Sequence, residues 1–387
     1  MREVYLDHAS TTPPHPSAIE AMNRLARDAF ADPSRLYGRA RVARIELDGA
    51  RATVAETIGG RPEEIVFTSG GTESCNLAIL GGTRAAAAAR KPKTVVVSAV
   101  EHTAVLEAAR MLEPEGFSVV TVGVDAGGRV DLGELRESLR DGAALVSLQH
   151  ANQEVGTIQP VAEAVAIAKQ AGVLVHSDAC MTVGHLPVDV RALGVDLLSA
   201  SAHKSYGPKG AGFLWVRRGV RVRPAIPGDD RERNRRAGME NLPAIAGMAA
   251  AFEARREEIA SEAERLEALG ARLRDELPRR NTDLVLHGHE TDHLPGLVSF
   301  SVLYVEGETM LLLLDQKGIA VHSGSSCTSS TQEPSHVLAA MGAMTHGSLR
   351  VSLGRETTSE DIEYFLDALP PIVEQVRAMT RQEAGSA

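Results

Sequence analysis

The chain has 387 residues, of which 43% are hydrophobic, 24% charged and 3% aromatic. Because this length exceeds that of one ordinary hydrophobic core, we expect a large domain and a smaller one, both with aliphatic interiors. The formal net charge of −10 argues against a nucleic acid or an anionic membrane surface as the main partner.

Strand-like apolar runs alternate with helical stretches in the first part of the sequence. The runs lie at 65–67, 94–97, 118–120, 145–148, 173–175, 197–199 and 212–215. Seven strands joined by crossover helices predict an α/β fold, with a seven-stranded and mainly parallel sheet between layers of helices. We assign this large domain to residues 15–255.

A long amphipathic helix follows, because apolar residues recur at three- and four-residue spacings from 259 to 277. Beyond it, strand-like runs lie at 297–302 and 349–353, and a helical stretch lies between them at 311–314. These elements predict a small α+β domain at 256–387. The N-terminal segment 1–14 is expected to pack with that domain.

The sequence shows neither a signal-type apolar core at its N-terminus nor an apolar run long enough to span a bilayer. Three cysteines, Cys75, Cys180 and Cys327, have no CxxC spacing. This pattern suits a reducing compartment and excludes a disulfide framework, so we expect a cytoplasmic protein. In a chain of this length, free thiols are usually inert and buried.

Asp178 and Lys204 follow two apolar runs that are typical of buried parallel strands. Ligands of open α/β sheets bind beyond the carboxyl ends of the strands, so the carboxylate and the amine should lie on one rim. Pyridoxal phosphate needs both groups, a lysine for its aldehyde and a carboxylate for its ring nitrogen. Taken singly, either residue is more often structural.

The segment 65–74 is predicted to be a strand, a glycine turn at Gly70 and Gly71, and the start of a helix that includes Thr72. Free backbone N–H groups at a helix N-terminus bind anions, and a phosphate would suit this turn. An ordinary capped turn is the alternative, and in isolation it is the commoner one.

Two further polar residues are expected on the same rim. His102 begins a helix after the run 94–97, where an imidazole can stack on a cofactor ring and move protons near neutral pH. Asn152 follows the run 145–148 and could bind a substrate carboxylate or the phenolic oxygen of the cofactor.

Cys327 lies among small polar residues without apolar periodicity, which predicts a mobile, solvated loop. An exposed thiol on such a loop is a candidate nucleophile, and an incidental surface cysteine is the alternative. Arg350 lies on a predicted strand of the small domain. Its guanidinium is a candidate for binding an amino-acid carboxylate through two hydrogen bonds, although a surface ion pair is commoner for such a residue.

Two other clusters receive a structural interpretation. His287, His289 and His293 lie in a predicted loop without acidic or cysteine ligands at a convincing spacing, so we predict no metal site. The arginines between 231 and 236 are predicted to form a solvated face, with a contact to phosphate or to a neighbouring subunit as the alternative.

Together these motifs resemble the cysteine desulfurases, pyridoxal-phosphate enzymes of the class V aminotransferase group. The resemblance extends over nearly the whole chain, at 5–13, 67–76, 101–106, 149–160, 176–179, 201–210, 324–338 and 348–355. It implies a fold type I enzyme, a homodimer with sites near the subunit interface, and conversion of L-cysteine to L-alanine. The stretch around Cys327 is similar to the long-loop desulfurases that serve iron–sulfur assembly and tRNA thiolation.

The resemblance also implies roles for individual residues. Lys204 would form the Schiff base with pyridoxal phosphate, and Asp178 would pair with the ring nitrogen. His102 would stack on the ring, and Asn152 and Arg350 would hold the substrate. The phosphate would be bound by Gly71, Thr72, Ser201 and His203. Cys327 would take the sulfur as a persulfide and pass it to an acceptor protein, such as a scaffold, a sulfur carrier or a tRNA-thiolation enzyme.

Two positions depart from the family pattern. Met181 replaces a glutamine that donates to the phenolic oxygen of the cofactor, and Met239 replaces a threonine that reaches the phosphate of the neighbouring subunit. A thioether cannot donate these hydrogen bonds, and each loss is worth about 1 kcal/mol if nothing compensates for it.

Three functions follow from the sequence, and the first is the one that we predict. It is a cysteine desulfurase that works through Cys327. The second is a related pyridoxal-phosphate enzyme, a selenocysteine lyase or an aminotransferase, that does not need this thiol. The third is a catalytically silent scaffold of a sulfur pathway, in which Met181 and Met239 arose by drift.

Overall fold

The computed structural model describes residues 2–323, 326–328 and 331–386, with the backbone alone for 326–328, 331–333 and 380–386. Its strands are β1 (Val4–Tyr5), β2 (Ile65–Thr68), β3 (Thr94–Ser98), β4 (Ser118–Val122), β5 (Leu145–Ser147), β6 (Leu174–Asp178), β7 (Leu197–Ser201), β8 (Gly212–Val216), β9 (Leu284–His287), β10 (Leu297–Val302), β11 (Ile319–Ala320), β12 (His322–Ser323), β13 (Ser326–Thr328), β14 (Thr331–Glu333) and β15 (Ser348–Ser352).

The helices are α1 (Pro16–Asp28), α2 (Gly38–Thr57), α3 (Gly71–Asn76), α4 (Thr83–Ala88), α5 (Thr103–Arg110), α6 (Leu132–Ser138), α7 (Val161–Gln170), α8 (Val190–Leu193), α9 (Arg231–Asn234), α10 (Leu242–Arg255), α11 (Ile259–Arg280), α12 (Gly307–Asp315), α13 (His336–Ala340) and α14 (Ser359–Ser386). A π-helical segment, Leu77–Gly82, joins α3 to α4 without a break. No helix of the described residues combines the length and the apolar character that a bilayer crossing requires.

The large sheet has the strand order β2-β8-β7-β6-β5-β3-β4. Strand β8 is antiparallel to both neighbours, and the other adjacent pairs are parallel. Successive side chains of a strand point to opposite faces, so alternate residues pack against different helices. Phe67, Val146 and Phe213 belong to one buried cluster, and their neighbours Val66 and Leu145 belong to another. The predicted α/β fold with a mainly parallel seven-stranded sheet is confirmed.

The C-terminal part has a four-stranded antiparallel sheet in the order β12-β15-β10-β9. Strand β1 pairs in parallel with β11, and Asp7 bridges to Ser352, so the N-terminal segment packs here. Leu6, Leu273 and Phe365 share a buried cluster that is separate from those of the large sheet. We propose on this basis the division into 15–255 and 256–387, with 1–14 joining the second part.

Candidate active site

A cavity of about 210 Å³ lies beyond the carboxyl ends of β6 and β7. It is lined by many of the residues singled out from the sequence: Gly71, Thr72, His102, Asp178, Ser201, His203 and Lys204. Asn152 and Arg350 do not line it, and the side chain of Cys327 lies outside the described residues. The backbone of Cys327 lies in β13, which pairs with β14 in a short hairpin.

Lys204 stands in a 3₁₀ turn directly after β7, and its ammonium contacts the N-terminal segment. The Nζ atom donates hydrogen bonds to the carbonyl oxygens of Ala9, at 2.6 Å, and Ser10, at 2.9 Å. Burial lowers the pKa of Lys204, and the nearby Arg350 guanidinium acts in the same direction. A lowered pKa increases the fraction of neutral amine, which is the form that reacts with an aldehyde.

Asp178 is the last residue of β6 and lies opposite Ser199 of β7. Its carboxylate is 8% exposed, and Oδ1 accepts a hydrogen bond of 2.9 Å from the backbone N–H of Cys180. The parallel pairing of β6 with β7 therefore brings a carboxylate and an amine to one cavity, as the strand ends predict.

The turn after β2 is shaped by glycines. Gly70 has φ +156° and ψ −175°, a region that is essentially restricted to glycine. A Cβ on Gly71 would lie 2.6 Å from Sγ of Cys180, so α3 begins close against the loop after Asp178. The hydroxyl of Ser201 is buried and has no hydrogen-bond partner among the residues that the structure describes. An anion at this helix N-terminus would satisfy that hydroxyl as well as free backbone N–H groups.

His102 is the N-cap of α5, and its Nδ1 accepts a hydrogen bond of 3.0 Å from the backbone N–H of Ala104. A neutral ring held in this way carries its proton on Nε2. Removal from water lowers the pKa of His102, and the Asp178 carboxylate opposes that effect. The neutral imidazole can therefore donate or accept a proton in the cavity.

His203 contacts the N-terminal segment. Its Nδ1 lies 3.2 Å from Oγ1 of Thr11, and its carbonyl oxygen accepts hydrogen bonds from the backbone and the hydroxyl of Thr12. Burial lowers the pKa of His203 to about 4, so the ring is neutral at physiological pH. The segment of residues 9–12 thus contacts both His203 and Lys204.

Asn152 is fully buried, and its amide holds its own loop. Oδ1 accepts hydrogen bonds from the backbone N–H groups of Glu154, at 2.7 Å, and Val155, at 2.9 Å, while Nδ2 donates to the carbonyl of Val100. Gln153, the next residue, lines the cavity instead. The role of Asn152 in holding the substrate remains a prediction.

Two cysteines that were expected to be ordinary free thiols line the cavity. Cys75 lies on α3 and is buried, and Cys180 follows Asp178 by two residues. Burial raises the pKa of both thiols well above their usual range, so both are protonated. The signal that could have identified them is their spacing from Gly71 and Asp178, since α3 and the loop after β6 both turn toward this rim.

Two structural expectations change. His287 lies in strand β9 rather than in a loop, where Nε2 is 2.7 Å from Oγ of Ser301. Within the described part of the chain, no group of three or more acidic, cysteine or histidine side chains is arranged to hold a metal ion. The predicted solvated arginine face is wrong for Arg231, whose side chain is 11% exposed and pairs with Asp32 and Glu240.

Comparison with known proteins decides the family. The Aminotransferase class-V family model matches residues 4–365. The chain is 46% identical to a cysteine desulfurase IscS of Dictyoglomus turgidum, over 98% of this chain and 96% of that protein. It belongs to the cysteine desulfurase family.

Solved structures of related proteins agree with this family assignment. A NifS-like protein superposes with a TM-score of 0.88 at 36% identity, over 96% of this chain and all of the other. A structure of SspA in complex with cysteine gives a TM-score of 0.78 at 29% identity, over 90% of this chain and 98% of that chain. Enzymes of the cysteine desulfurase family are in general dependent on pyridoxal phosphate.

Proposed function

We propose that this protein binds pyridoxal phosphate and converts L-cysteine to L-alanine, passing the sulfur through a persulfide on Cys327 to an acceptor protein. The observation that carries the proposal is the joint position of Lys204 and Asp178 on one cavity, beside a buried Ser201 hydroxyl for which the described part of the chain offers no partner. Membership of the cysteine desulfurase family supports the same reaction.

The residues of the cavity fit the cofactor. An amine with a lowered pKa is available for the aldehyde, and a carboxylate is available for the ring nitrogen. The glycine turn before α3 and the unpartnered Ser201 hydroxyl are donors suited to a phosphate. We infer that Gly71, Thr72, Ser201 and His203 surround the phosphate.

When bound, pyridoxal phosphate supplies an electron sink for bonds at the substrate carbon atoms. Lys204 would hold the aldehyde of the bound cofactor, and its free amine would act as a base for the Cα proton of the substrate. His102, neutral with its proton on Nε2, would lie against the ring and would donate or accept a proton there. The Asp178 carboxylate would hold the ring nitrogen, because a carboxylate beside a ring nitrogen favours the protonated form of that nitrogen.

Arg350 is proposed to orient the substrate through its carboxylate. Arg350 is 4% exposed, and its buried Nε–H has no hydrogen-bond partner among the described residues. A carboxylate at this donor would form a charge-assisted hydrogen bond. Asn152 is proposed to assist through the one amide N–H that its loop does not use.

We propose that the transfer of sulfur from L-cysteine to Cys327 needs no external oxidant or reductant. The thiolate of Cys327 attacks the substrate sulfur, so an S–S bond forms while the C–S bond of cysteine breaks. The electron pair of that bond stays with the carbon, which takes up a proton to become the methyl group of alanine. L-cysteine and the Cys327 thiol thereby give L-alanine and a Cys327 persulfide.

The test uses purified protein incubated with pyridoxal phosphate and L-cysteine, followed by assays of alanine and sulfide and by mass spectrometry of the Cys327 peptide. We expect alanine and a mass gain of one sulfur atom on that peptide. Lys204→Ala should lose the visible absorbance of the bound cofactor. Cys327→Ser should lose persulfide and cysteine turnover.

The outcomes separate the three candidate functions. Unchanged cysteine turnover in Cys327→Ser would favour a lyase or aminotransferase that needs no nucleophilic thiol. A protein that takes up no cofactor would favour the silent scaffold.

We further propose that two copies form a homodimer. Large apolar side chains are exposed between residues 30 and 45, among them Phe30 at 66%, Leu36 at 97% and Ile45 at 66%. Such a concentration of exposed apolar surface is typical of an interaction site. A second copy that presents the same patch would bury both, as in an isologous dimer.

A further inference from the structure

Tyr206 follows Lys204 by two residues and has a backbone conformation that a tyrosine rarely adopts. Its φ is +61°, in the left-handed region, where a residue with a bulky side chain is strained. The surrounding chain holds this conformation, since the N–H of Tyr206 donates to Oγ1 of Thr12, at 2.7 Å, and its carbonyl oxygen accepts from the N–H of His15, at 2.7 Å. Strain that is held in this way is concentrated at functional sites.

The ring of Tyr206 is buried against an ion pair. The guanidinium of Arg255 lies over the ring, with Cζ 4.3 Å from the ring centroid, and its Nη1 donates to Oε2 of Glu262, at 2.8 Å. The Nε and Nη2 atoms of Arg255 donate to the carbonyl of Gly184, at 3.2 and 3.1 Å, so every nitrogen of the guanidinium has a partner. A cation that is fixed at all its donors holds the ring in place through a cation–π contact.

The hydroxyl group of Tyr206 reaches two elements of the C-terminal part. It donates to Oε1 of Glu262 on α11, at 3.3 Å, and accepts from the backbone N–H of Arg355, at 2.7 Å. Burial raises the pKa of Tyr206 to about 12, so the hydroxyl keeps the proton that it donates. Arg355 lies three residues beyond β15, the strand that carries Arg350. One side chain thus links the turn of Lys204 to the strand of Arg350.

The turn of Lys204 is tightly joined to Tyr206. The carbonyl oxygen of Lys204 lies 2.6 Å from Nε2 of His185, and Oγ of Ser205 donates to a backbone carbonyl of the loop after β6. A Cβ on Gly184 would lie 2.7 Å from Cβ of Ser205, so the two segments are in direct contact. The turn and Tyr206 therefore move together.

The segment between Arg350 and Arg355 is also held at several points. The backbone N–H of Leu353 donates to the carbonyl of Gly296, at 2.9 Å, and Nη2 of Arg265 on α11 donates to the carbonyl of Arg355, at 3.0 Å. A change at the N–H of Arg355 is therefore transmitted to the end of β15.

We propose that Tyr206 is a positioning residue that sets the separation between Lys204 and Arg350, and that this separation selects substrates with an α-carboxylate. Lys204 would hold the cofactor aldehyde, to which the substrate amine is directed, and Arg350 would receive the substrate carboxylate. An α-amino acid must occupy both places at once, so an error in their separation weakens its binding. The assignment of the two places rests on the proposed function, whereas the link through Tyr206 does not.

The first experiment uses the cofactor-free full chain. Tyr206→Phe removes the hydroxyl and keeps the ring beside Arg255. Hydrogen exchange at the amide of Arg355, which loses its acceptor, should then be about tenfold faster. Tyr364→Phe is the matched control, because it removes a hydroxyl on α14 that donates to the carbonyl of Lys317, at 2.9 Å, and it should leave this exchange rate unchanged. An amide of Arg355 that exchanges equally slowly in the wild type and in Tyr206→Phe would overturn the proposal.

The second experiment uses the protein loaded with pyridoxal phosphate and follows the cofactor absorbance as amines bind. L-alanine, the product, has the carboxylate that Arg350 would receive, and ethylamine is the same molecule without it. In Tyr206→Phe the dissociation constant of L-alanine should rise by about tenfold, while those of ethylamine and of the cofactor should change by less than about twofold.

Equal weakening of the two amines in Tyr206→Phe would mean that Tyr206 has only a general structural role, and the proposal would be wrong. The control Tyr364→Phe should bind both amines as the wild type does. If the protein bound no cofactor, the proposed function would fail while the exchange result still stood.

Discussion

Arg350 and Asp7 form an ion pair that joins the C-terminal sheet to the N-terminal segment, with Nη2 2.7 Å from Oδ1 and side chains 5% and 17% exposed. The second Nη atom donates to the carbonyl of Gln153, at 2.8 Å, and so reaches the wall of the cavity. The pair therefore fixes a buried cation where three separate segments of the chain meet. This cation is proposed to receive the substrate carboxylate.

Replacing Arg350 by lysine should impair the use of L-cysteine. A lysine keeps the charge but loses the planar fork, so kcat/KM should fall by about 10- to 100-fold, or ~1.5–3 kcal/mol, mainly through KM. The visible spectrum of the cofactor should be unchanged. Steady-state kinetics measure the effect, and Arg355→Lys is the control, because Arg355 is 37% exposed in a looser ion pair of 3.6 Å. Loss of cofactor with a normal KM would assign Arg350 to another role.

Replacing Glu232 by glutamine should destabilise the large domain. The carboxylate forms two hydrogen bonds with Arg51, of 2.6 and 2.7 Å, and accepts a third from the backbone of Phe67. Its loss leaves a buried guanidinium without a counter-charge, at a cost of ~3–5 kcal/mol in the free energy of unfolding. Denaturant titration measures this cost. Asp48→Asn, which removes an exposed pair with Arg44, should change stability by less than ~0.5 kcal/mol.

Acid should destabilise the protein through its buried histidines. Burial lowers the pKa of His176 and of His185 to about 4, whereas in the unfolded chain each titrates near 6.5. Between these values the unfolded state binds more protons, so the free energy of unfolding falls as pH falls from 6.5 to about 4. In His185→Gln this slope should be smaller by up to ~1.4 kcal/mol per pH unit, as measured by denaturant titration at several pH values. An unchanged slope would show that His185 does not contribute.

Charges placed on the exposed apolar surface should separate the proposed dimer. The double substitution Leu36→Glu and Ile45→Glu puts four carboxylates into a two-fold interface, where like charges repel and lose water. Sedimentation or light scattering should then give the mass of a monomer. Met111→Glu, at a side chain that is 59% exposed elsewhere, should leave the mass unchanged. A dimer that survives the double substitution would indicate another interface.

Restoring an amide at position 181 should tighten cofactor binding. Met181 lines the candidate active site and also a neighbouring cavity that His8 lines. Met181→Gln adds a donor worth about 1 kcal/mol, so the dissociation constant of pyridoxal phosphate should fall by about fivefold. Fluorescence titration measures this constant. Weaker binding would mean that the new amide turns toward His8 instead, whose two ring nitrogens are buried without partners in the described ranges of the chain.

The sequence predicts the sheet and one part of the site well, because those features depend on local pattern. Asp178 and Lys204 follow apolar runs, and the rule that ligands bind at the carboxyl ends of strands brings them together. The glycine turn at Gly70 is equally local. Each of these residues could be located from its immediate neighbours.

Other features depend on contacts between distant segments and were missed. Arg350 is buried because Asp7, far away in sequence, returns to its strand. Arg231 is buried because it pairs with Asp32 of a separate loop. The hydrogen bonds that link Glu101, Ser147, His176 and Ser199 need the register of three strands, which no local pattern specifies. The side chains of β9 alternate too weakly in burial to identify it as a strand.

The hydrogen bonds of Lys204 to Ala9 and Ser10 have a practical consequence for anyone who trims or modifies this protein. A lysine that condenses with an aldehyde exchanges its three N–H donors for an imine nitrogen with at most one, so at least one of those carbonyl groups then needs a new partner. Deletion of residues 2–10 would remove both acceptors and would change the reactivity of an amine nearly two hundred residues away. Truncation there alters the chemistry of the amine itself.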